Sequence, residues 1–138
     1  NMENLQMNSD ELIEINDTNK TFYLQGDNSK LKSKNLLIIG SLIEGQYDEF
    51  NGTNEVTNLD VESKTLIRIQ TDKLDMYSLK AIYNKKENLI ELFDKVKIIR
   101  DNEIIIGDYA KINTLTESYK VKSNESNKFK ILIDNKDE

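Results

Sequence analysis

The chain has 138 residues and a formal net charge of −6. A chain of this length builds one core, so residues 1–138 are expected to form a single domain whose first residues are disordered. The acidic balance argues against a nucleic-acid partner because phosphate backbones are bound by basic surfaces. No run of about 18 apolar residues occurs, so we expect a soluble globular protein without a membrane span.

The residue types that the chain lacks restrict its chemistry. It contains no histidine, cysteine or tryptophan. The usual general base near neutral pH, the thiol nucleophile and the common zinc ligands are therefore missing. Pairs of carboxylates could act as in glycosidases, but the acids are scattered through turns and alternating positions, as is typical of solvated faces. We expect no enzymatic activity, no metal site and no cofactor.

Alternation of apolar and polar residues with period two predicts strands along most of the chain. The alternating segments are residues 12–15, 21–25, 66–70, 80–84, 95–99, 119–123 and 128–133. Polar breaks with turn-forming residues separate them at residues 26–29, 51–54, 84–88, 100–103 and 123–127. Leucine spacing in residues 71–96 allows a helix, but the flanking strands favour strands there too. The pattern predicts an all-β antiparallel sandwich, barrel or roll.

Two segments of the chain resemble each other in sequence, and we call this similarity the internal echo. Residues 23–38 and 97–112 can be aligned so that Asp27 and Asn28 correspond to Asp101 and Asn102. Each segment reads as a strand, an acidic turn and a further strand, which suggests a doubled β-meander. Chance similarity in a chain of such biased composition is the alternative.

Isoleucine and its neighbours in residues 90–112 are expected to line an interior. Ile90, Leu92, Val96 and Ile98 fall on one face of a strand, whereas Glu91, Lys95 and Lys97 fall on the other. After the turn, Ile104, Ile106, Ala110 and Ile112 are expected to continue the dry face. Composition alone does not decide whether this interior is a filled core or a cavity.

Short motifs follow one another in a recognisable order in the second half of the chain. They are Ala81-x-Tyr83, Ile90-x-Leu92, Val96-x-Ile98 and Gly107-Asp108, followed by the strands at 119–123 and 128–133. This succession resembles the LptA/OstA-like family of periplasmic lipopolysaccharide-transport proteins. One departure is that Phe93 and Asp94 stand where the family has a glycine-asparagine turn.

The resemblance implies an all-β fold, an open antiparallel β-jellyroll of repeated short strands. It implies a non-catalytic carrier in the periplasm of a Gram-negative cell, with any signal peptide removed or absent from this sequence. Its ligand would be the acyl chains of lipid A in lipopolysaccharide, held in an apolar groove. Copies would stack end to end between LptC-like and LptD-like proteins of the inner and outer membranes. An LptC-like member of the same system and a structural β-protein with a filled core are the alternatives.

Two sets of residues are expected to carry this function. The groove would be lined by Phe22, Leu24, Ile38, Ile67, Ile69, Leu74, Met76, Ala81, Tyr83, Ile90, Leu92, Val96, Ile98, Ile104, Ile106, Ala110, Ile112 and Val121. The stacking edges would be strands with Ile13 and Ile15 at one end and Phe129, Ile131 and Ile133 at the other. Lysines 128 and 130 could instead protect the second edge against aggregation.

Overall fold

The computed structural model describes residues 5–124 and 130–133, and strands make up most of them. The strands are β1 (Gln6–Asn8), β2 (Leu12–Asn16), β3 (Thr21–Ser33), β4 (Leu36–Phe50), β5 (Thr53–Gln70), β6 (Asp75–Asn84), β7 (Leu89–Arg100), β8 (Glu103–Asn113), β9 (Tyr119–Lys122) and β10 (Lys130–Ile133). The predicted all-β class is confirmed, and residues 71–96, where a helix was the rival, form β6 and β7.

All the strands belong to one open antiparallel sheet. Strands β3 to β8 pair with their chain neighbours in succession. At one edge β1 and β2 both pair with β3, and at the other β9 and β10 both pair with β8. The sheet therefore has an amino-terminal edge and a carboxy-terminal edge, each formed by two short strands.

A line of register shifts, which we call the break line, crosses the long strands at matching heights. The shifts lie between Gln25 and Ser29 of β3, Ile39 and Leu42 of β4, Glu62 and Ile67 of β5, Tyr77 and Lys80 of β6, and Phe93 and Val96 of β7. Buried small residues lie along it, namely Ser29, Gly40, Ser78 and Gly107. Because such irregularities bend strands and increase their twist, the break line divides the sheet into two leaves.

The two leaves cover each other's apolar faces. The upper leaf contains residues 29–40, 67–78 and 96–107, and the lower leaf contains residues 12–25, 42–62, 80–93 and 109–122. Buried side chains from both leaves form one cluster, with Ile38 and Ile98 from the upper leaf and Leu24 and Leu92 from the lower. The core thus lies between two halves of the same sheet, which is doubled over as a roll.

One expectation about a turn is wrong, and it removes the structural basis of the internal echo. Residues 26–29, predicted to separate two strands, lie inside β3 at the break line. Gly26, with a φ of +135°, allows the chain to bulge there without reversing. Asp101 and Asn102, by contrast, form the turn between β7 and β8. The two echoing segments therefore do not share a structure around their acidic pairs.

The backbone accommodates Phe93 and Asp94, which stand where the family has a glycine-asparagine turn. Positive φ angles occur at Asp94 (69°) and Lys95 (53°), and not at Phe93. Aspartate tolerates the left-handed region better than most residues do. Phe93 stays in regular pairing with Tyr109, and their ring centroids lie 5.4 Å apart.

Gly45 provides a test of how tightly the strands pack in the lower leaf. A Cβ at this position would lie 2.1 Å from the carbonyl oxygen of Asn58 and 2.9 Å from Leu59 Cδ2. We predict that Gly45→Ala lowers the free energy of unfolding by about 1–3 kcal/mol, because backbone must move to relieve the overlap. Urea denaturation measures the change. Glu44→Ala, at the exposed neighbouring position, should stay within about 0.5 kcal/mol of the unaltered protein, and equal effects of the two changes would contradict the packing.

Candidate functional site

Rows of side chains cross the inner face of the sheet, because residues paired across antiparallel strands point to the same face. In the lower leaf one row is Ile13, Leu24, Ile43, Val61, Ala81, Leu92, Ala110 and Val121, and the next is Ile15, Phe22, Gly45, Leu59, Tyr83, Ile90, Ile112 and Tyr119. In the upper leaf a row contains Met7, Leu31, Ile38, Ile69, Met76, Ile98 and Ile105. Each row reaches from the amino-terminal edge to β8 or β9.

The structure brings most of the predicted groove residues together between the leaves. Those that are at most 3% exposed are Phe22, Leu24, Ile38, Ile67, Ile69, Leu74, Met76, Ala81, Ile90, Leu92, Val96, Ile98, Ala110 and Ile112. Tyr83 and Val121 lie in the inner rows and are partly buried. These side chains pack against one another, so the interior is filled in this conformation.

The expectation that Ile104 and Ile106 continue the inner face is wrong. Ile106 pairs with Lys97 and Ile104 with Ile99, on the outer face, whereas Ile105 pairs with the buried Ile98. The reason is the break line. Between Phe93 and Val96, three steps along β7 match two along β8, so even-numbered residues of β8 point inward on one side of it and odd-numbered residues on the other.

A buried carboxylate ties the leaves together where the strands end. Glu55, at the start of β5, lies 2.8 Å from Lys34 Nζ and 3.7 Å from Lys85 Nζ. Lys34 belongs to the turn between β3 and β4 of the upper leaf, and Lys85 to the turn between β6 and β7 of the lower leaf. The backbone N–H of Val56 also donates to Ser33 Oγ across 3.5 Å.

Glu117, in the turn between β8 and β9, makes a second set of contacts between the two leaves, beside those of Glu55. Its Oε1 accepts from the hydroxyl of Thr71 and, at 3.1 Å, from the backbone N–H of Lys73. Arg100 Nη1 donates to the carbonyl of Glu117 across 3.4 Å. We call the contacts of Glu55 and Glu117 the rim contacts. A cavity of about 280 Å³ lies beside them, lined in part by Lys34, Tyr83 and both glutamates.

The edge strands in the lower leaf carry complementary groups. At the amino-terminal edge, Ile13 and Ile15 of β2 end the inner rows and are 39% and 55% exposed. Glu14, on the same strand, points to the outer face and is exposed. At the carboxy-terminal edge, β9 presents exposed Lys120 and Lys122 outward.

The predicted second edge is placed in part. Ile131 and Ile133 belong to β10, which pairs with β8 in the upper leaf, whereas Phe129 lies outside the described residues. The strand at the same height as β2 is therefore β9.

An open depression of about 850 Å³ lies at the amino-terminal edge. It is lined by Ile15, Phe22 and Leu59 of the inner row, among others.

Some site residues escaped the sequence reasoning. Inner-row positions Ile43, Leu59 and Val61 were not singled out, although the alternation of apolar residues in 59–61 carries the signal that would have found Leu59 and Val61. For Glu55 and Glu117 no signal exists in the sequence, since charged residues at strand ends and turns are ordinary. Their importance appears only when the leaves meet.

Two tyrosine hydroxyls that donate to carboxylates have a raised pKa. Tyr109 on the outer face donates to Glu91 Oε2 across 2.6 Å, and this hydrogen bond is the main cause that raises its pKa to about 12. Tyr119 donates to Glu103 Oε1 across 2.7 Å and also has a pKa raised to about 12, but burial is the larger cause there. The Tyr119 contact joins the lower leaf to the upper one.

Other kinds of site were sought in residues 5–124 and 130–133. No group of three or more acidic side chains there is arranged to hold a metal ion. Within the same residues no helix is long and apolar enough to cross a membrane.

The fold of this chain is similar to that of a solved structure. LptH from Pseudomonas aeruginosa, described as the LptA-homologous periplasmic component of the conserved lipopolysaccharide transport device, superposes with a TM-score of 0.78. The chain has an LptA-like fold. The match covers 96% of both chains at 14% sequence identity, so the likeness concerns the fold. No protein-family model and no curated protein sequence matches the chain. The predicted open β-jellyroll is confirmed by this LptA-like arrangement.

The two raised tyrosine pKa values can be separated by experiment. We predict that Glu91→Ala returns the pKa of Tyr109 close to its ordinary value of 10.0, because the hydrogen bond is the first cause of the shift. Glu103→Ala should lower the pKa of Tyr119 less, because burial remains. Phenolate absorbance followed against pH gives both values, with Tyr109→Phe and Tyr119→Phe to assign the signals.

The same shifts fix the sign of a pH effect on stability. The folded chain holds these protons more tightly than the unfolded chain does, so the stabilisation is complete below about pH 10 and is lost as the pH rises towards about 12. Equal decreases of the two pKa values in the glutamate variants would contradict the assigned causes.

Proposed function

We propose that the chain is a non-catalytic periplasmic carrier of lipopolysaccharide. Lipid A acyl chains would lie between the two leaves, and copies would stack end to end between LptC-like and LptD-like export components. The observation that supports this most is the apolar interior, which runs from edge to edge of an LptA-like fold. The predicted groove residues inside it, such as Leu24, Leu92 and Ile98, remain lipid-binding residues in this proposal.

The energetics favour such an interior as a place for acyl chains. Each buried methylene contributes about 0.8 kcal/mol, so a chain of about a dozen methylenes gains roughly 10 kcal/mol on leaving water. Isoleucine, leucine and valine surfaces offer an environment equivalent to the bilayer. Lipid could therefore pass between successive sites with little change in free energy, and an upstream component would supply the direction.

The packed interior requires the leaves to separate before lipid enters. The rim contacts oppose this, but Lys34 and Lys85 are both more than one-third exposed, and ion pairs of exposed lysines contribute only about 0–1 kcal/mol each. When the leaves separate, acyl chains replace the apolar contacts between them. The free energy that these chains gain by burial exceeds the free energy that is lost with the rim contacts. We place the opening at the rim and the bending at the break line, where the strand pairing is already irregular.

The direction and chemistry of the edges support end-to-end stacking. Strand β9 runs opposite to β8, and β2 opposite to β3, so β9 of one copy and β2 of the next would pair antiparallel with both copies in the same orientation. The inner rows would then continue from Val121 and Tyr119 to Ile13 and Ile15. Outside, the lysines of β9 would face Glu14. Such a heterologous contact propagates into a filament.

A structural β-protein with a filled core remains the second candidate. The observation that favours it is the burial of the interior, where Leu24 and Ile98 are fully enclosed. The two functions differ in whether the leaves open to lipid.

Adjacent aromatic residues allow a direct test of lipid entry. Phe22 points inward and Tyr23 outward on the same strand, and Tyr83 is a second inward aromatic residue. We predict that a photoreactive phenylalanine analogue at Phe22 or Tyr83 gives adducts with lipopolysaccharide, whereas the same analogue at Tyr23 gives few. Adducts are measured by gel mobility and mass spectrometry. Absence of adducts at both inward positions would favour the filled core.

A disulfide across the rim distinguishes entry between the leaves from binding outside them. The chain has no cysteine, so Ser33→Cys with Val56→Cys introduces a single possible pair where the side chain of Ser33 already contacts the backbone of Val56. The oxidised variant should lose the adducts at Phe22, and reduction should restore them. Adducts that persist in the locked protein would show that lipid does not require opening of the rim.

Reversal of charge at the edges tests the stacking contact. Glu11, which immediately precedes β2, is exposed like Glu14. We predict that Glu11→Lys with Glu14→Lys, or Lys120→Glu with Lys122→Glu, weakens self-association on the order of tenfold, because like charges then meet across the contact. Mixing the two variants should restore association, since each retains one natural edge and the reversed edges complement each other. Sedimentation measures the distribution of oligomers. Lys64→Glu, at an exposed position of the break line, is the charge control, and failure of the mixture to recover would contradict the β9–β2 contact.

A further inference from the structure

A row of alternating cations and apolar side chains crosses the outer face of the upper leaf. Its members on β3 to β8, each paired with the next, are Lys30, Ile39, Arg68, Tyr77, Lys97 and Ile106. A cation thus stands on every second strand, with roughly 10 Å between one and the next. We call this row and Lys32, which points outward in the next row, the basic face.

The charges of the basic face are only partly compensated. Asp75, in the neighbouring row, accepts two hydrogen bonds of 2.9 Å from Arg68. Lys30, Lys32 and Lys97 are exposed, and the described part of the chain shows no ion pair for them. This concentration of positive charge stands out in a chain with a net charge of −6.

Tyr77 organises the centre of the row. Its ring lies 5.7 Å from the guanidinium of Arg68 and 5.5 Å from Lys97 Nζ. Two cations therefore share one aromatic ring, which holds their long side chains against the sheet and keeps the charges at a common height. Ile39, which is partly buried, and Ile106, which is exposed, supply apolar surface on either side.

We propose that the basic face docks on the surface of an anionic phospholipid bilayer. The backbone hydrogen bonds of these strands are satisfied within the sheet, so only side chains can make the contact. Lysine and arginine with interspersed isoleucine and tyrosine match a surface that offers phosphates above hydrocarbon. An acidic protein would satisfy the cations but would leave the regular apolar positions between them without a role.

Docking by this face is compatible with the proposed function and does not depend on it. Its residues take no part in the rim contacts and do not belong to β2 or β9. A copy attached to a bilayer in this way would keep its rim and both lower-leaf edges free. It would lie flat on the membrane through one side of the roll.

Co-sedimentation with vesicles tests the proposal. Vesicles of phosphatidylcholine alone are compared with vesicles that also contain phosphatidylglycerol, at low and high salt. We expect binding only to the anionic vesicles, with a decrease at high salt because exposed charges are screened. The variant Lys30→Gln, Lys32→Gln, Lys97→Gln should bind on the order of 100-fold more weakly, since each cation near such a surface contributes about fivefold.

A matched variant gives the control. Lys80→Gln, Lys86→Gln, Lys111→Gln removes three exposed cations of the lower leaf, none of them on β2 or β9, and should bind almost as well as the unaltered chain. An equal loss in this control, or no binding of the unaltered chain to anionic vesicles, would overturn the proposal. Equal binding to neutral vesicles would also overturn it, and would indicate that the apolar interior makes the contact with lipid. Weaker self-association of the basic-face variant would assign the face to a second copy of the chain.

Discussion

The break line is the constraint on which the rest of the structure depends. Strands β3 to β8 have 10 to 18 residues each, long enough for the sheet to remain extended with one apolar face uncovered. Aligned register shifts bend all of them at one height, so that the upper leaf covers the lower. On β8 the shift also alters which residues point inward, since strand alternation has a period of two. The bend and the distribution of side chains between the two faces therefore have the same origin.

The contacts between the leaves differ in kind from place to place. Inside, burial of isoleucine, leucine and valine stabilises the closed roll without directional bonds. At the rim the contacts are polar: Glu55 bridges lysines of two separate turns, and Glu117 joins the β8–β9 turn to the turn between β5 and β6. When the leaves separate, Glu55 can exchange its two lysine partners for water. An apolar side chain that becomes exposed has no such substitute in water and needs a new apolar partner. In the proposed function, this asymmetry would make opening without lipid unfavourable and opening towards lipid feasible.

The sequence was sufficient for the strands and for most inward positions, because alternation is local. Ile90, Leu92, Val96 and Ile98 could be assigned to one face since the two left-handed residues of β7, Asp94 and Lys95, leave its alternation intact. The same reasoning failed for Ile104 and Ile106, because the shift of β8 depends on its partner strand. Glu55 could not be found at all. Its importance comes from the meeting of turns that lie far apart in the chain, and no local pattern encodes that meeting.

Charge is distributed over the outer surface according to position in the sheet. Glu14, Glu44 and Asp60 lie in one outer row near the amino-terminal edge, with Tyr23 between the two glutamates, and Lys111 and Lys120 end the same row at the other edge. Across the break line, cations predominate on the upper leaf. A net charge alone hides this division. An acidic chain can thus present a negative edge to one neighbour, a positive edge to another and a basic face to a third surface. Because cross-strand pairing determines which charges share a row, the separation of these surfaces is a property of the register.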